Sequence, residues 1–175
     1  MIYTDTYASP LGDITLTATE NALTGLWFKD EKYYSKVFAE MEACTCGELA
    51  VFGQTREWLD TYFHGKNPDF TPPMQPEGTP FRQSVWEILK TIPYGQTMTY
   101  GEIASILAAQ RGISRMSAQA VGGAVGHNPI SIIVPCHRVI GTDGSLTGYA
   151  GGLDRKTALL ESEGIKISEN AIVCS

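Results

Sequence analysis

Residues 134 to 139 place a thiol beside an imidazole, in the order Val-Pro-Cys-His-Arg-Val. The thiolate form of a cysteine is a strong nucleophile, and a histidine can act as the general base that produces it. Pro135 cannot donate to a β-ladder, so the apolar run at 130–133 predicts a buried strand that ends there, with Cys136 at its open end. This pattern indicates covalent catalysis at Cys136. The alternative is a small core cysteine, which is the commoner role of an isolated Cys-His pair.

The predicted strand limits how Cys136 and His137 can interact. Successive side chains on a regular strand point to opposite faces, so a direct hydrogen bond between the thiol and the imidazole is not expected. His137 would then act through a bend in the chain or a bridging water. A catalytic role for this motif therefore requires a third group that holds the imidazole ring in place.

The composition is that of a globular protein of one or two domains, with 175 residues of which 43% are hydrophobic. No apolar stretch is long enough to span a bilayer, and the first residues lack the pattern of a signal peptide, which predicts a cytoplasmic protein with no membrane partner. Four cysteines in a chain of this size do not make a disulfide framework. Cys44 and Cys46 are one residue short of the common zinc spacing, so we expect no metal site.

The net charge of −6 is unevenly distributed along the chain. Residues 1–79 hold 5 Lys/Arg against 12 Asp/Glu, whereas residues 80–165 hold 7 against 6. Phosphate binding depends on local rather than total charge, so the second half remains a candidate for DNA binding, although it has no strongly basic patch. Electrostatics alone predicts a modest, salt-sensitive affinity.

A proline-rich segment divides the chain. Residues 66–80 hold five of the nine prolines and show no periodicity, which indicates an extended linker or a wrapping segment. We therefore expect two domains, at residues 1–76 and 77–175.

The first domain carries a strand pattern followed by a helix pattern. Apolar residues and threonines alternate from Ile14 to Thr19, and a turn at Glu20-Asn21 leads to a second apolar run, which predicts a β-hairpin or meander. Residues 48–63 then show a helical period. The residues expected on the buried face of that helix are Leu49, Phe52, Leu59 and Phe63. This domain is predicted to be a small α/β fold without catalytic residues.

The second domain is predicted to be mainly helical. Pro80, preceded by a threonine cap, begins a first helix, and Thr99 with Glu102 forms a capping box for a second. Ser117 caps a third helix, which is rich in small residues that let another backbone approach closely. The turn near Gly112 makes the second and third helices compatible with a helix-turn-helix in a winged-helix-like domain, and a plain helical hairpin is the alternative.

Several segments of the chain together resemble one known family. They are Tyr100, Ala120–Ala124, Gly126–Pro129, Ile133–Val139, Gly144–Leu153 and Leu159–Gly164, in that order and over about 85 residues. In these segments the chain is similar to the C-terminal domain of the methylated-DNA–protein-cysteine methyltransferases, also called O6-alkylguanine-DNA alkyltransferases. The sequence Pro-Cys-His-Arg-Val in that setting is highly specific. The acidic first domain fits the family by position and size only.

The resemblance implies a role for each member of a catalytic set. Cys136 would take the alkyl group from O6 of guanine in an SN2 step and keep it. His137, through a water, would hold Cys136 as the thiolate, and Glu163 would orient His137 in the general form of a triad. Asn128 would hold the junction before the active-site segment by side-chain bonds to the backbone. Tyr100 would contact the phosphate beside the lesion and protonate the leaving guanine at N3.

The resemblance also implies how substrate and DNA are bound. The alkylated base would be flipped out of the duplex into a pocket, because its O6 is buried in the base stack. The third helix would enter the minor groove, where small residues permit close approach and leave little sequence preference. The substrate-binding and DNA-binding residues in this set are Arg138, Leu146, Thr147, Tyr149 and Ala150, with Ala118, Ala120, Gly122 and Gly123 of the third helix.

One position departs from the family pattern. Members usually have an arginine before Ala-Val-Gly-Gly that fills the space left by the flipped base, whereas this chain has Gln119. Glutamine can stack on the orphaned base and hydrogen-bond to it, but it brings no charge. Arg115, one turn earlier, is a candidate phosphate contact. For Gln119 the alternative is an ordinary solvated helix residue.

The sequence therefore predicts a single-turnover DNA repair protein that is monomeric, needs no cofactor and binds double-stranded DNA containing O6-alkylguanine. O4-alkylthymine is left open as a second substrate. Two other functions are left open. A lesion sensor or methylation-responsive regulator would flip and hold the damaged base, and such relatives replace the nucleophile that this chain retains as Cys136. A different cysteine enzyme, such as an acyl or thiol transferase, would leave Tyr100 and the helix-turn-helix without a function.

Overall fold

The structure of the protein is a computed structural model that describes residues 1–31, 43–45 and 48–173, with the backbone alone at 43–45. Cys46, Cys174 and the side chain of Cys44 lie outside the described residues. The chain forms two compact units. The N-terminal unit is Met1–Glu77 with Pro129–Ser131, and the C-terminal unit is Gly78–Asn128 with Ile132–Ser175. The grouping of Pro129–Ser131 with the N-terminal unit is not anticipated by the sequence.

The N-terminal unit is built on a sheet of four strands. They are β1 (Ile2–Ser9), β2 (Gly12–Ala18), β3 (Leu23–Phe28) and β4 (Ala43–Thr45). The first three form an antiparallel meander, which confirms that prediction, and β4 pairs parallel to β1, so the order is β3-β2-β1-β4. In β2, Thr15 and Thr17 are buried as fully as Leu16 between them. The strand is therefore covered on both faces, although its alternating sequence is typical of a half-exposed strand.

The helix of this unit, α1 (Ala50–Phe63), buries Phe52 and Leu59 as expected, but its buried face also includes residues that were not expected. Leu49 is its N-cap and Phe63 is half-buried, so the prediction was wrong for these two residues. The buried residues are Val51, Phe52, Thr55, Trp58, Leu59 and Tyr62. Trp58 and Tyr62 stack with their ring centroids 5.3 Å apart. Because burying these large aromatic side chains is strongly favourable, the buried face of the helix includes them.

The proline-rich segment lies along the edge of the sheet. The Leu23 N–H donates to the Pro73 carbonyl over 2.8 Å, and the Gln75 N–H donates back to the Leu23 carbonyl over 2.8 Å. These bonds satisfy backbone groups that an edge strand leaves open. Of the two predicted alternatives, the wrapping segment is the one observed.

The C-terminal unit is mainly helical, as predicted. Its elements are α2 (Pro80–Leu89), β5 (Met98–Thr99), α3 (Tyr100–Arg111), α4 (Ala118–Gly126), a 3-10 turn (Cys136–Arg138), β6 (Val139–Ile140), α5 (Leu153–Ser162), β7 (Ile167–Ser168) and β8 (Ala171–Ile172). The predicted caps are confirmed, because the side chains of Thr79, Thr99 and Ser117 each accept a hydrogen bond from the backbone N–H three residues later. Within the described residues, none of the helices combines the length and the apolar character that a membrane span needs.

Helices α3 and α4 form the helix-turn-helix. Gly112 ends α3 with a φ of 65°, a left-handed conformation that glycine adopts without strain. The buried face of α4 carries Val121 and Ala124, and the Ala124 carbonyl accepts a hydrogen bond of 2.9 Å from the indole of Trp86 on α2. Residues 118–120, at the start of α4, are left exposed to solvent.

The segment that leads to Cys136 is a turn and not the predicted strand. Ile130 makes an isolated bridge to β3, and the residues after it form a turn in which Ile132 has a φ of 70°. The run is buried all the same, and Nδ2 of Asn128 donates to the Val134 carbonyl over 2.8 Å, so a side chain takes the place of a strand partner. The strand prediction was wrong because a short apolar run indicates burial without distinguishing a strand from another buried segment.

Candidate active site

Cys136 begins the 3-10 turn that follows Pro135. Its side chain is a thiol and not part of a disulfide, and the residue is 6% exposed. Its backbone N–H donates to the Val134 carbonyl over 2.8 Å, which keeps the turn tight. Consecutive side chains in such a turn are about 120° apart rather than on opposite faces. The side chains of Cys136 and His137 are therefore not forced onto opposite faces, as they would be in a strand.

His137 and Glu163 form a buried hydrogen-bonded pair. Both side chains are 0% exposed, and Nε2 of His137 lies 2.6 Å from Oε2 of Glu163. Glu163 is the C-cap residue of α5, so the end of that helix delivers the carboxylate to the 3-10 turn. The structure thus brings together the histidine of the motif and the carboxylate that the resemblance assigns to it.

The other oxygen of Glu163 is hydrogen-bonded as well. Oε1 accepts from Nε of Arg138 over 2.8 Å and from the backbone N–H of Gly95 over 2.9 Å. Arg138 also donates to the Ile92 carbonyl over 2.7 Å, lies 5.8 Å from the ring centroid of Tyr94 and is 8% exposed. Its guanidinium is engaged inside the protein. This corrects its assignment to the DNA-binding and substrate-binding set, because a buried guanidinium that already holds a carboxylate is not presented to a ligand.

At pH 7 Glu163 is ionised and His137 is neutral. Burial raises the pKa of Glu163, but the hydrogen bonds from His137 and Arg138, with the charge of Arg138 and the charge that His137 carries when it is protonated at low pH, outweigh burial and lower the pKa to about 2. Burial lowers the pKa of His137 below its usual value against the influence of Glu163, and Arg138 and Lys156 lower it further. A carboxylate only accepts hydrogen bonds, so neutral His137 donates from Nε2 and keeps a lone pair on Nδ1. Nδ1 is therefore the atom at which His137 can take up a proton.

Tyr100 is the first residue of α3, and its hydroxyl donates to the Thr147 carbonyl over 3.1 Å. Burial raises the pKa of Tyr100 against the effect of that hydrogen bond, and the negative charge of the Cys136 thiolate raises it further. A Cβ atom placed on Gly122 would lie 3.9 Å from the Tyr100 ring. The Tyr100 ring therefore lies beside α4 at Gly122, its hydroxyl bonds to the loop that carries Thr147, and it lies within electrostatic reach of the thiol.

The remaining residues of the predicted set differ in exposure. Leu146 and Asn128 are buried; Gly122, Tyr149 and Ala150 are half-buried; Arg115, Ala118, Gln119, Ala120, Gly123 and Thr147 are exposed. One side of α4 is thus open to a partner, and the loop between β6 and α5 holds the predicted pocket residues. In the part of the chain that the structure describes, no three His, Cys, Asp or Glu side chains form a cluster suited to a metal ion.

Lys156 is a residue of the site that the sequence reasoning missed. It lies on α5 with 0% exposure, and its ammonium donates to three backbone carbonyls. Burial lowers its pKa to about 8, against the charge of the Cys136 thiolate, which raises it. A signal was present in the sequence. Lys156 precedes Leu159 and Leu160 by three and four residues, which places it on the apolar face of the helix.

The low pKa of Glu163 predicts a pH-dependent contribution to stability. A carboxylate whose pKa falls from about 4.3 in the unfolded chain to about 2 in the fold stabilises the folded state above pH 4, and this contribution is lost as the pH falls toward 2. The shift corresponds to ~3 kcal/mol at pH 7. In Glu163→Gln, the free energy of unfolding from urea denaturation should be lower than that of the unmodified protein by about this amount at pH 7, and the difference should shrink below pH 4.

The matched control for this measurement is Glu161→Gln, which changes an exposed carboxylate on the same helix. It should leave the free energy of unfolding nearly unchanged at both pH values. A deficit in Glu163→Gln that stays constant from pH 7 to pH 3 would contradict the assignment of an ionised, hydrogen-bonded Glu163.

Family models match nearly the whole chain. The model for the ribonuclease-like domain of 6-O-methylguanine DNA methyltransferase matches residues 2–76, and the model for the DNA binding domain of 6-O-methylguanine DNA methyltransferase matches residues 80–165.

Individual relatives match over the same extent. The methylated-DNA–protein-cysteine methyltransferase of Mycobacterium tuberculosis (strain ATCC 25618 / H37Rv) is 44% identical over 93% of this chain and 93% of its own length. The crystal structure of the Mycobacterium tuberculosis O6-methylguanine methyltransferase has a TM-score of 0.78 at 44% identity and covers 93% of both chains. The crystal structure of Mycobacterium tuberculosis OGT in complex with DNA has a TM-score of 0.80 at 42% identity and covers 92% of both. On the site geometry and these matches, the chain belongs to the methylated-DNA–protein-cysteine methyltransferase family.

Proposed function

We propose that this protein repairs DNA directly, by moving the alkyl group from O6 of an alkylated guanine to the sulfur of Cys136. The observation that carries the proposal is the arrangement of Cys136, His137 and Glu163: a buried thiol is followed in the same 3-10 turn by a neutral imidazole whose donating nitrogen is held by a carboxylate. Membership of the family supports the same activity. Each molecule acts once, because the thioether that forms is stable to hydrolysis.

The transfer begins with the loss of the thiol proton. Nδ1 of His137 takes this proton through a water, and Glu163 stabilises the imidazolium that results. The sulfur electron pair then attacks the alkyl carbon, so that the S–C bond forms as the C–O6 bond breaks. The electron pair of the broken bond passes to the guanine, which takes up a proton at N3 from the Tyr100 hydroxyl. After the repaired base has left, His137 releases the thiol proton to solvent and Tyr100 regains a proton from solvent, so both return to their resting states.

Two further residues are proposed to position this chemistry. Arg138 holds Oε1 of Glu163, which leaves Oε2 directed at His137. Asn128 fixes the turn before Cys136 through its bond to the Val134 carbonyl. Neither residue needs to touch the substrate.

The pocket for the flipped guanine is proposed to lie along the loop that follows β6. Its walls would be Tyr149 and Ala150, which are half-buried, and a backbone N–H of the loop after Leu146 would donate to O6, since the N–H of Leu146 itself already donates to the Asn170 carbonyl over 2.7 Å. The hydroxyl of Tyr100 already lies on this loop, at the Thr147 carbonyl. The Tyr100 hydroxyl, which is the proposed proton donor, is thus hydrogen-bonded to the loop that would form the wall of the pocket.

Double-stranded DNA is proposed to bind along the exposed side of α4, with the protein acting as a monomer in a reducing compartment. Ala120 and Gly123 are exposed there and Gly122 is half-buried, so no large side chain prevents the minor groove from approaching the helix. Gln119 is exposed at the first turn of α4, where it can enter the space left by the flipped base. Arg115, exposed in the turn before α4, is placed to contact a phosphate. The related OGT of Mycobacterium tuberculosis, solved with DNA, supports DNA as the partner.

The two alternatives are less well supported. A lesion sensor needs the flipping surface but not a nucleophile, whereas this chain keeps Cys136, followed directly by a histidine that Glu163 holds in place. A cysteine enzyme acting on a small molecule does not need the open face of α4 or the exposed Gln119.

The first functional prediction concerns stoichiometry. On incubation with duplex DNA that carries O6-methylguanine, intact-protein mass spectrometry should show the gain of one methyl group per molecule, located at Cys136, and no further gain with excess DNA. Cys136→Ser should abolish the transfer and keep DNA binding, because a serine hydroxyl is not ionised near neutral pH.

Cys44→Ser is the control for this experiment, since it removes a cysteine outside the proposed site. It should transfer one methyl group at the normal rate. Sustained turnover of the protein, or methyl recovered on Cys174, would show that Cys136 is not the sole acceptor.

The second functional prediction separates base extrusion from chemistry. If Gln119 fills the vacated stack, Gln119→Ala should slow repair of the duplex, while reaction with the free base O6-benzylguanine, which needs no flipping, should stay unchanged. Gln119→Arg should accelerate duplex repair and steepen its salt dependence, because a cation adds a charge-assisted contact.

The readout is the rate of Cys136 alkylation with each substrate, and Gln110→Ala, an exposed glutamine on α3, is the matched control. Equal slowing with duplex and free base would place Gln119 at the pocket instead of the DNA. No effect with either substrate would leave Gln119 as a solvated helix residue and make Arg115 the next residue to vary.

A further inference from the structure

The mechanism proposed above uses His137, Glu163 and Tyr100, but it leaves a buried cation without a role. The Lys156 ammonium donates to the carbonyls of Val139 (2.6 Å), Thr147 (3.1 Å) and Gly148 (3.2 Å). Three donors thus meet three acceptors. Among the residues that the structure describes, no carboxylate lies within ion-pair distance of this ammonium. A full charge in a buried position without an anionic partner is costly, so its presence calls for a function.

The three carbonyls belong to two separate backbone segments. Val139 directly follows the 3-10 turn that carries Cys136, and Thr147 and Gly148 belong to the loop before α5. The Thr147 carbonyl also accepts from the Tyr100 hydroxyl, so Lys156 and Tyr100 bond to the same oxygen. The ammonium therefore ties the backbone after the nucleophile to the loop that would hold the base.

The charge of Cys136 as a thiolate raises the pKa of Lys156 against the effect of burial, so the two groups interact electrostatically. The other charged and titratable groups of this region are His137 and Arg138 on the 3-10 turn, Tyr100 on α3 and Glu163 at the end of α5. Glu163 is occupied by His137 and Arg138, and His137 is neutral at rest. Lys156 is a buried cation of this region that is not paired with a carboxylate and whose electrostatic interaction reaches Cys136.

We propose that Lys156 is the fixed counter-ion of Cys136, and that it also holds together the two backbone segments that bound the pocket. This inference rests on the proposed function, in which Cys136 reacts as a thiolate. Lys156 touches no substrate atom and is a positioning residue that acts through the charge state of the sulfur. It remains an ammonium throughout, since the thiol proton passes to His137.

Removal of this charge should be visible without any alkylated DNA. In Lys156→Met, which keeps the length and apolar stem of the side chain, the pH profile for alkylation of Cys136 by iodoacetamide should move by about one unit to higher pH. The rate near neutral pH should then fall several-fold and approach the unmodified rate at high pH. Peptide mass spectrometry distinguishes Cys136 from the other three cysteines. Lys166→Met, an exposed lysine beyond α5, is the control and should leave the profile unchanged.

The opposite change tests the same pair if Lys156→Met folds poorly. In Cys136→Ala the thiolate is absent, so the Nζ of Lys156, followed by NMR of protein with 13C-labelled lysine, should titrate at lower pH than in the unmodified protein. Loss of iodoacetamide reactivity at every pH, with the midpoint unchanged, would reduce Lys156 to a support of the loop and overturn the proposal. An unchanged Lys156 titration in Cys136→Ala would overturn it as well. Neither measurement uses alkylguanine, so failure of the DNA repair function would be seen separately, in the methyl-transfer assay.

Discussion

The carboxylate of Glu163 is the constraint on which the proposed active site depends. It is buried and ionised, and it accepts hydrogen bonds from the His137 imidazole, the Arg138 guanidinium and the backbone of Gly95. These donors come from the 3-10 turn of the motif and from the segment between α2 and β5, while the carboxylate comes from the end of α5. A buried carboxylate is tolerated only when its oxygens are satisfied, so the three segments must meet in this one arrangement.

The chemistry of His137 follows from this constraint. Because Glu163 can only accept, it fixes the imidazole with the proton on Nε2, and the lone pair of Nδ1 is then available for the proton of Cys136. The low pKa of His137 keeps that nitrogen unprotonated at neutral pH, and the adjacent carboxylate stabilises the charge that appears when the proton arrives. Lys156 has a complementary place in the proposal, since the charge of the Cys136 thiolate raises the pKa of its ammonium against the effect of burial. His137, the proposed base, lies in the 3-10 turn, and Lys156, the proposed counter-ion, lies on α5. Each can therefore be substituted without changing the other.

The sequence predicts the features that short-range chemistry determines. Caps at Thr79, Thr99 and Ser117 mark helix starts because a side-chain oxygen three residues before a backbone N–H is a local pattern. It does not predict features that depend on distant partners. The run before Cys136 is a buried turn because Asn128 supplies a bond that no periodicity records, and Arg138 lies inward because Glu163, 25 residues later, takes its guanidinium. Lys156 was missed for the same reason: its three carbonyl partners belong to segments that only the fold brings around it.

The central claim is that a neutral His137, protonated on Nε2 by virtue of Glu163, is the base for Cys136. The most direct test is 15N NMR of the imidazole nitrogens in labelled protein at neutral pH, with His137 distinguished from the other two histidines by its substitution. We predict a protonated Nε2 and an unprotonated Nδ1 in the unmodified protein, and loss of this single tautomer in Glu163→Gln, whose amide can donate to Nε2. An imidazolium at neutral pH, or a proton found on Nδ1 in the unmodified protein, would contradict the account.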